Sequence, residues 1–170
     1  MTHADVEAVH GMWTDPAVRR YLWDDTVISK ERAQETVLGI VAGFERNGCG
    51  MWLIQERDDA APCGFCGFLP GAELERAELI YGLLPRAWGR GYALESARAI
   101  VAHAFDRLNV AKIVAAADVP NTASIRLMER LGMRFDRREV VGGLDLVFYE
   151  LDNPRRGAEQ TTGSTDTAHR

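Results

Sequence analysis

At 170 residues the chain is long enough for one domain whose core stands without disulfides or a structural metal. An apolar content of 46% and a charged content of 26% are ordinary for a globular protein, and a net charge of −5 lacks the basic footprint of a general nucleic-acid binder. No apolar run reaches the length of a membrane span, no signal-peptide core opens the chain, and three cysteines do not make a disulfide framework, so the expectation is a cytoplasmic protein with neither a membrane nor a nucleic acid as partner.

Ala4, Val6, Val9, Met12 and Trp13 recur at helical spacing and predict a first helix. Asp15-Pro16 reads as a cap followed by proline at the first helical position, opening a short turn through Tyr21. Ser29 caps a further helix with apolar positions Ala33, Val37, Ile40, Val41 and Phe44, closed by Asn47-Gly48. Strand signals follow at Met51–Gln55, Gly64–Leu69 and Ala77–Leu84, the first two joined as a hairpin across Asp58–Pro62. The next helix, Leu94–Leu108, buries Leu94, Ala97, Val101, Ala104, Phe105 and Leu108.

Val110–Ala117 is a β-branched strand, Thr122–Leu131 a helix closed by Gly132, and Met133–Val141 with Leu144–Leu151 a terminal hairpin around Gly142-Gly143. Residues 152–170 are polar and small, and read as a disordered tail behind a single domain of residues 1–151. The order ααβββαβαββ defines an α/β fold with a mixed, mostly antiparallel sheet flanked by helices. Cys63 and Cys66 have the CxxC spacing of redox and zinc motifs, but they fall in a strand with no second ligand pair. They read as two small buried residues, and no metal is expected.

The run Arg86-Ala87-Trp88-Gly89-Arg90-Gly91-Tyr92-Ala93 joins a strand to a helix. The first N–H groups of a helix have no partner within it, and the helix dipole adds roughly half a positive charge at that end. Glycines let a ligand approach without a Cβ in the way. The turn therefore predicts a phosphate or pyrophosphate site and a nucleotide-like ligand.

Three pieces of the chain resemble the GNAT superfamily of acyl-CoA-dependent N-acyltransferases. Arg86-Ala87-Trp88-Gly89-Arg90-Gly91 is similar to its Q/R-x-x-G-x-G/A loop, Asn121-Thr122-Ala123-Ser124 to its N-x-x-S/A turn, and Glu129-Arg130-Leu131-Gly132-Met133 to its E-K-L-G-F helix end. Trp13-Thr14-Asp15-Pro16-Ala17-Val18-Arg19-Arg20-Tyr21-Leu22 also looks like the branch that acetylates ribosomal-protein N-termini (Rim-type). Three departures stand out. The family's usual first strand has no counterpart before Ala4, Ile80 and Gly82 replace a glycine and a tryptophan, and Met128 stands where many relatives place an acidic tyrosine.

The resemblance implies acetyl-CoA as donor and a primary amine as acceptor, either a protein N-terminus or a small molecule, with direct transfer in a ternary complex. A homodimer is compatible with it. Backbone N–H groups of Trp88, Gly89, Arg90, Gly91, Tyr92 and Ala93 would hold the pyrophosphate, the main chain of Leu83 and Leu84 would pair with the pantetheine arm, Arg86 and Arg90 would touch phosphates, and Asn121 would contact the arm. One N–H would face the thioester oxygen.

The chemistry needs a neutral amine. At pH 7 a lysine-like amine is neutral only about once in 2,500 molecules, an α-amino group far more often. Glu78, alone among apolar strand residues, is the first candidate base, with a solvent-facing strand end as the alternative. Glu139 is the second, since the resemblance implies a base just before the last hairpin, with an exposed charged edge beside Arg137 and Arg138 as the alternative. Ser124 is read either as a hydrogen-bond donor to the departing thiolate or as a support for its helix. A thiol with a pKa near 8.5 leaves without a strong acid, so Met128 does not exclude catalysis. A second class of function uses the same fold without chemistry, as an acyl-CoA-binding or regulatory module.

Overall fold

The computed structural model describes residues 1–159. Three helices come first: α1 (Val6–Thr14, after a single 3-10 turn), α2 (Pro16–Leu22) and α3 (Lys30–Asn47). Their starts have local causes. The Asp15 side chain accepts the Ala17 N–H with Pro16 at the first helical position, and Ser29 Oγ accepts the Arg32 N–H at 3.2 Å. Each such cap contributes about 1 kcal/mol.

Strands β1 (Met51–Gln55), β2 (Pro62–Phe68) and β3 (Ala77–Leu83) form an antiparallel meander. Helix α4 (Tyr92–Asp106), β4 (Lys112–Asp118), α5 (Thr122–Arg130), β5 (Arg134–Val141) and β6 (Leu144–Asp152) follow. The sheet order is β1-β2-β3-β4-β6-β5, antiparallel except where β3 meets β4. The expected α/β sheet is therefore present, with three separate helices at its start.

That parallel contact organises the molecule. β3 and β4 pair only at Ala77↔Ile113 and Glu78↔Val114. Beyond this point β3 runs on to Leu83 and β4 to Asp118 without bonding each other, so the sheet opens into a cleft. At about 3.3 Å per residue the open part is roughly 15 Å long.

Alternation along the strands sends side chains to two cores. Leu79 and Tyr81 join Ala115, Ala117, Met128, Ala97 and Ile100 beneath α4 and α5. Ile80, Met51 and Phe65 pack under α1–α3 with Val9, Trp13, Val37 and Ile40. Trp13 is 1% exposed and meets Trp23 and Phe65 edge-on, with ring centroids 5.7 and 6.1 Å away. Ile100 takes the buried place that spacing alone assigned to Val101.

The expected tail needs a correction. β6 reaches Asp152, the Asn153 side chain is 3% exposed and donates to the Val110 carbonyl at 2.8 Å, and a short helix α6 (Pro154–Glu159) follows. Arg156 reaches Glu75 at 3.0 Å and so ties this helix to the loop before β3. Composition suggested disorder from 152, but one buried asparagine supplies an anchor that composition cannot express. The remainder of the expected tail, 160–170, lies outside the described residues. Cys63 and Cys66 are buried and free on β2.

Candidate active site at the strand cleft

Helix α4 begins at the mouth of the cleft. Gly91 is its N-cap with φ 83°, and Gly89 has φ 72°, both left-handed values that side chains resist. A Cβ added at either glycine would meet nothing within 4 Å, so the ground in front of this turn is open. The backbone N–H groups of Gly89, Arg90, Gly91, Tyr92, Ala93 and Leu94 have no partner among the described residues. Open space, converging amides and a helix start fit a phosphate ester.

Two expected cofactor contacts change. The Trp88 N–H is spent on the Pro85 carbonyl at 3.1 Å, so the free amides begin at Gly89. Leu84 donates to Cys63 O and accepts from the Ala87 N–H, both at 2.9 Å, which turns its main chain away from the cleft. Because donors alternate along an antiparallel strand, Leu84, Gly82 and Ile80 face β2, and Leu83 with Tyr81 face the cleft. Tyr81 is thus a main-chain edge of the site that motif reading missed. Period-two alternation counted back from Leu83 would have found it.

The loop side chains are also engaged. Trp88 is 55% exposed, and its indole N–H donates to the Leu83 carbonyl at 2.8 Å. Arg86 contacts Asp59 at 3.3 Å and the Pro62 carbonyl at 2.9 Å. Arg90 pairs with Glu56 at 2.5 Å and lies over the Tyr92 ring. Both arginines expected at phosphates are held by the β1–β2 turn, whose carboxylates compete with an incoming anion. Glu56→Gln is therefore expected to tighten acyl-CoA binding two- to fivefold in dilute buffer, an exposed pair being weak. Titration calorimetry at two salt concentrations checks it, since the gain fades with screening.

Glu78 is the last β3 residue paired with β4, so its carboxylate marks the apex of the cleft. It is exposed and not surrounded by apolar neighbours, which corrects the sequence expectation. Alternation puts it on the α1–α3 face with Ile80. Across the cleft, Asn121 caps α5 and accepts the Ser124 N–H at 3.2 Å. Ser124 Oγ lies 2.7 Å from the Tyr81 hydroxyl. Burial pushes the Tyr81 phenol up to about 12, against the lowering effect of the Ser124 hydrogen bond.

Glu139 is elsewhere. It stands on the outermost strand, exposed, and Arg137 Nε donates to it at 3.0 Å. In register it follows Leu146, which faces Asp118, so two strand spacings, about 9.5 Å, separate it from β4. The structure does not bring it together with Glu78 and Ser124.

Met128 is 0% exposed and serves the core under α5. The Gly82 departure has a physical counterpart, because a Cβ there would come within 2.5 Å of the Phe65 ring. Phe65 occupies the volume that a large side chain at 82 would need.

A sheet split between β3 and β4, with a glycine-rich turn of free amides at its mouth and a carboxylate at its apex, fits an acyltransferase. The profile of the family described as "Acetyltransferase (GNAT) domain" matches residues 1–134, and the chain belongs to that family. The uncharacterized N-acetyltransferase YoaA of Bacillus subtilis (strain 168) is 29% identical over 135 residues, covering 79% of this chain and 76% of its own. Among solved structures, RimL, the ribosomal L7/L12 alpha-N-protein acetyltransferase in complex with coenzyme A, superposes with TM-score 0.76 at 23% identity over 89% of this chain and 90% of that one. Spermidine N-acetyltransferase from Vibrio cholerae, in complex with CoA and spermine, gives 0.74 at 16% identity over 90% and 92%. Both likenesses show the fold.

Proposed function

We propose that the protein transfers the acetyl group of acetyl-CoA directly to a primary amine, carried by a small cationic molecule or a protein N-terminus. The observation that carries this reading is the shared cleft. Free amides from Gly89 to Leu94 stand at its mouth, the Tyr81 and Leu83 main chain along one side, Ser124 on the other, and Glu78 at its apex. The donor's pyrophosphate would lie on the amides, and its pantetheine amides would pair with the β3 edge like an added strand. Glu78, through a water, would take the amine's proton. Ser124 Oγ would donate to the sulfur as the C–S bond breaks.

Direct transfer is supported by the thiols. Burial raises all three cysteines, Cys66 to about 12, so none supplies a thiolate for an acyl-enzyme.

A cationic acceptor is supported by the far end of the same face. Asp118 has the parity of Glu78 in the register, and its carboxyl is raised by burial and then by the negative charge of Asp24. An ammonium group entering there would relieve that repulsion.

Asp118→Asn is expected to raise KM for cationic amines severalfold while leaving acetyl-CoA binding unchanged. It has a stability signature as well. The folded chain binds this proton more readily than the unfolded one, so the wild type gains stability as pH falls through the raised value, until the unfolded carboxyl protonates too. The Asn variant lacks that gain, so it melts above the wild type at pH 7 and the difference shrinks on acidification.

Release of free thiol from acetyl-CoA, measured across amines and peptide N-termini, tests the reading. Donor binding without thiol release on any acceptor would overturn it.

A further inference from the structure

The hydroxyl pair that joins β3 to α5 is more than a packing contact. Tyr81 Oη stands 2.7 Å from Ser124 Oγ and 3.3 Å from the Ser124 carbonyl. The Ser124 N–H is already bound to Asn121 Oδ1, so this serine is held at its amide, and of the two acceptors near the single Tyr81 proton Oγ is the closer. Its hydroxyl carries one proton and can send it either to Tyr81 or into the cleft. Only the second arrangement meets a sulfur with hydrogen; the first presents a lone pair to developing negative charge.

We propose that Tyr81 is a positioning residue for Ser124: by donating its own hydrogen bond to Ser124 Oγ, it turns the serine proton toward the departing sulfur. This rests on the reading of Ser124 as the thiolate's partner. Two hydroxyls in series polarise each other, so negative charge on the sulfur strengthens both bonds.

The direction of the proton is decided by acidity. With the phenol raised to about 12 by burial and a thiol near 8.5, moving the phenol proton to the sulfur would be uphill by roughly 3,000-fold. Tyr81 therefore keeps its proton throughout. The amine nitrogen bonds to the acetyl carbon, the C–S bond breaks, and the sulfur keeps the electron pair under the Ser124 hydroxyl. The amine's proton leaves through the water at Glu78, and the thiolate takes its own from solvent after release.

A double-mutant cycle on kcat tests the proposal. Ser124→Ala measures the underlying reading, with a loss of about thirtyfold expected from removing a hydrogen bond to a charged group. Tyr81→Phe in the wild-type background is expected to lower kcat about tenfold, with KM and Kd for acetyl-CoA within twofold. In the Ser124→Ala background, Tyr81→Phe is expected to change kcat less than twofold.

Equal losses in both backgrounds would overturn the positioning role while leaving Ser124 in place. A silent Ser124→Ala would overturn both. Should the phenylalanine variant fold poorly, 3-fluorotyrosine at position 81, a stronger donor of nearly equal volume, is expected to hold kcat at or above the wild-type value. A fall below it would count against the proposal.

Discussion

Glu78→Gln is expected to lower kcat about a hundredfold, with acetyl-CoA affinity within twofold of the wild type. The substitution keeps size and polarity and removes the ability to take a proton. The residue lies at the apex of the cleft, where β3 and β4 are still bonded to each other, so the backbone there is held by the sheet and the change is confined to the side chain. The carboxylate is exposed and on the same face as Ile80, away from the α4 turn proposed to bind the donor. Affinity for the donor and the rate of proton removal should therefore separate.

Steady-state kinetics with calorimetry would show the split. The acceptor's own acidity sets a second signature: an α-amino acceptor, already neutral in about one molecule in seven at pH 7, should lose less in the variant than a lysine-like amine. An unchanged pH–rate profile in Glu78→Gln would transfer the role to Glu139, despite its ion pair with Arg137 and its place on the outer strand.

Gly91→Val is expected to weaken acetyl-CoA binding by thirty- to a hundredfold with little loss of kcat at saturation. Two effects act together. A β-branched residue resists φ 83°, a conformation that costs roughly 1–3 kcal/mol for a side chain of this kind. Its methyls would also project into the open ground before the Gly89–Leu94 amides, where no protein atom lies within 4 Å of the added Cβ. The protein itself does not crowd position 91, so the steric part of the penalty appears only when the donor is present. Gly91→Ala, strained but smaller, should fall between wild type and valine. Melting temperatures report the strain and calorimetry reports the affinity. Wild-type affinity in the valine variant would place the anion site elsewhere.

Much of this was legible in the chain. The spacing of Val9, Met12 and Trp13, the Asp15-Pro16 and Ser29 starts, and the Gly89 and Gly91 positions are local signals, and local signals depend on a few neighbouring residues. Strand β1 lies where its strand signals predicted it, and the helix of the anion turn starts at Tyr92, two residues before Leu94, the first buried position of its apolar stripe. The family motifs point to the same turn whose backbone amides from Gly89 to Leu94 are free among the described residues.

The errors share a different cause. The Leu84 main chain was assigned to the cleft, yet its N–H bonds to Cys63, a residue about twenty positions earlier. Glu78 was expected among apolar neighbours because its sequence neighbours are apolar, but the pleat turns every second residue to the other side. Glu139 was suggested by the family resemblance, which puts a proposed base just before the last hairpin, and the sheet order puts β6 between it and β4. Tyr81 gave no motif signal at all, since its partner Ser124 is brought to it by α5 packing on the far side of the cleft.

Residue type and spacing were sufficient for most of the elements, for their order through β6 and for the glycine turn ahead of α4, because each depends on backbone preference, periodicity or a run of adjacent residues. Which amides stay free, which carboxylate stands at the apex, and which hydroxyl meets Ser124 depend on hydrogen bonds and strand pairings between distant segments. Those choices arise when β3 parts from β4 after Glu78 and α4 and α5 close over one face of the sheet.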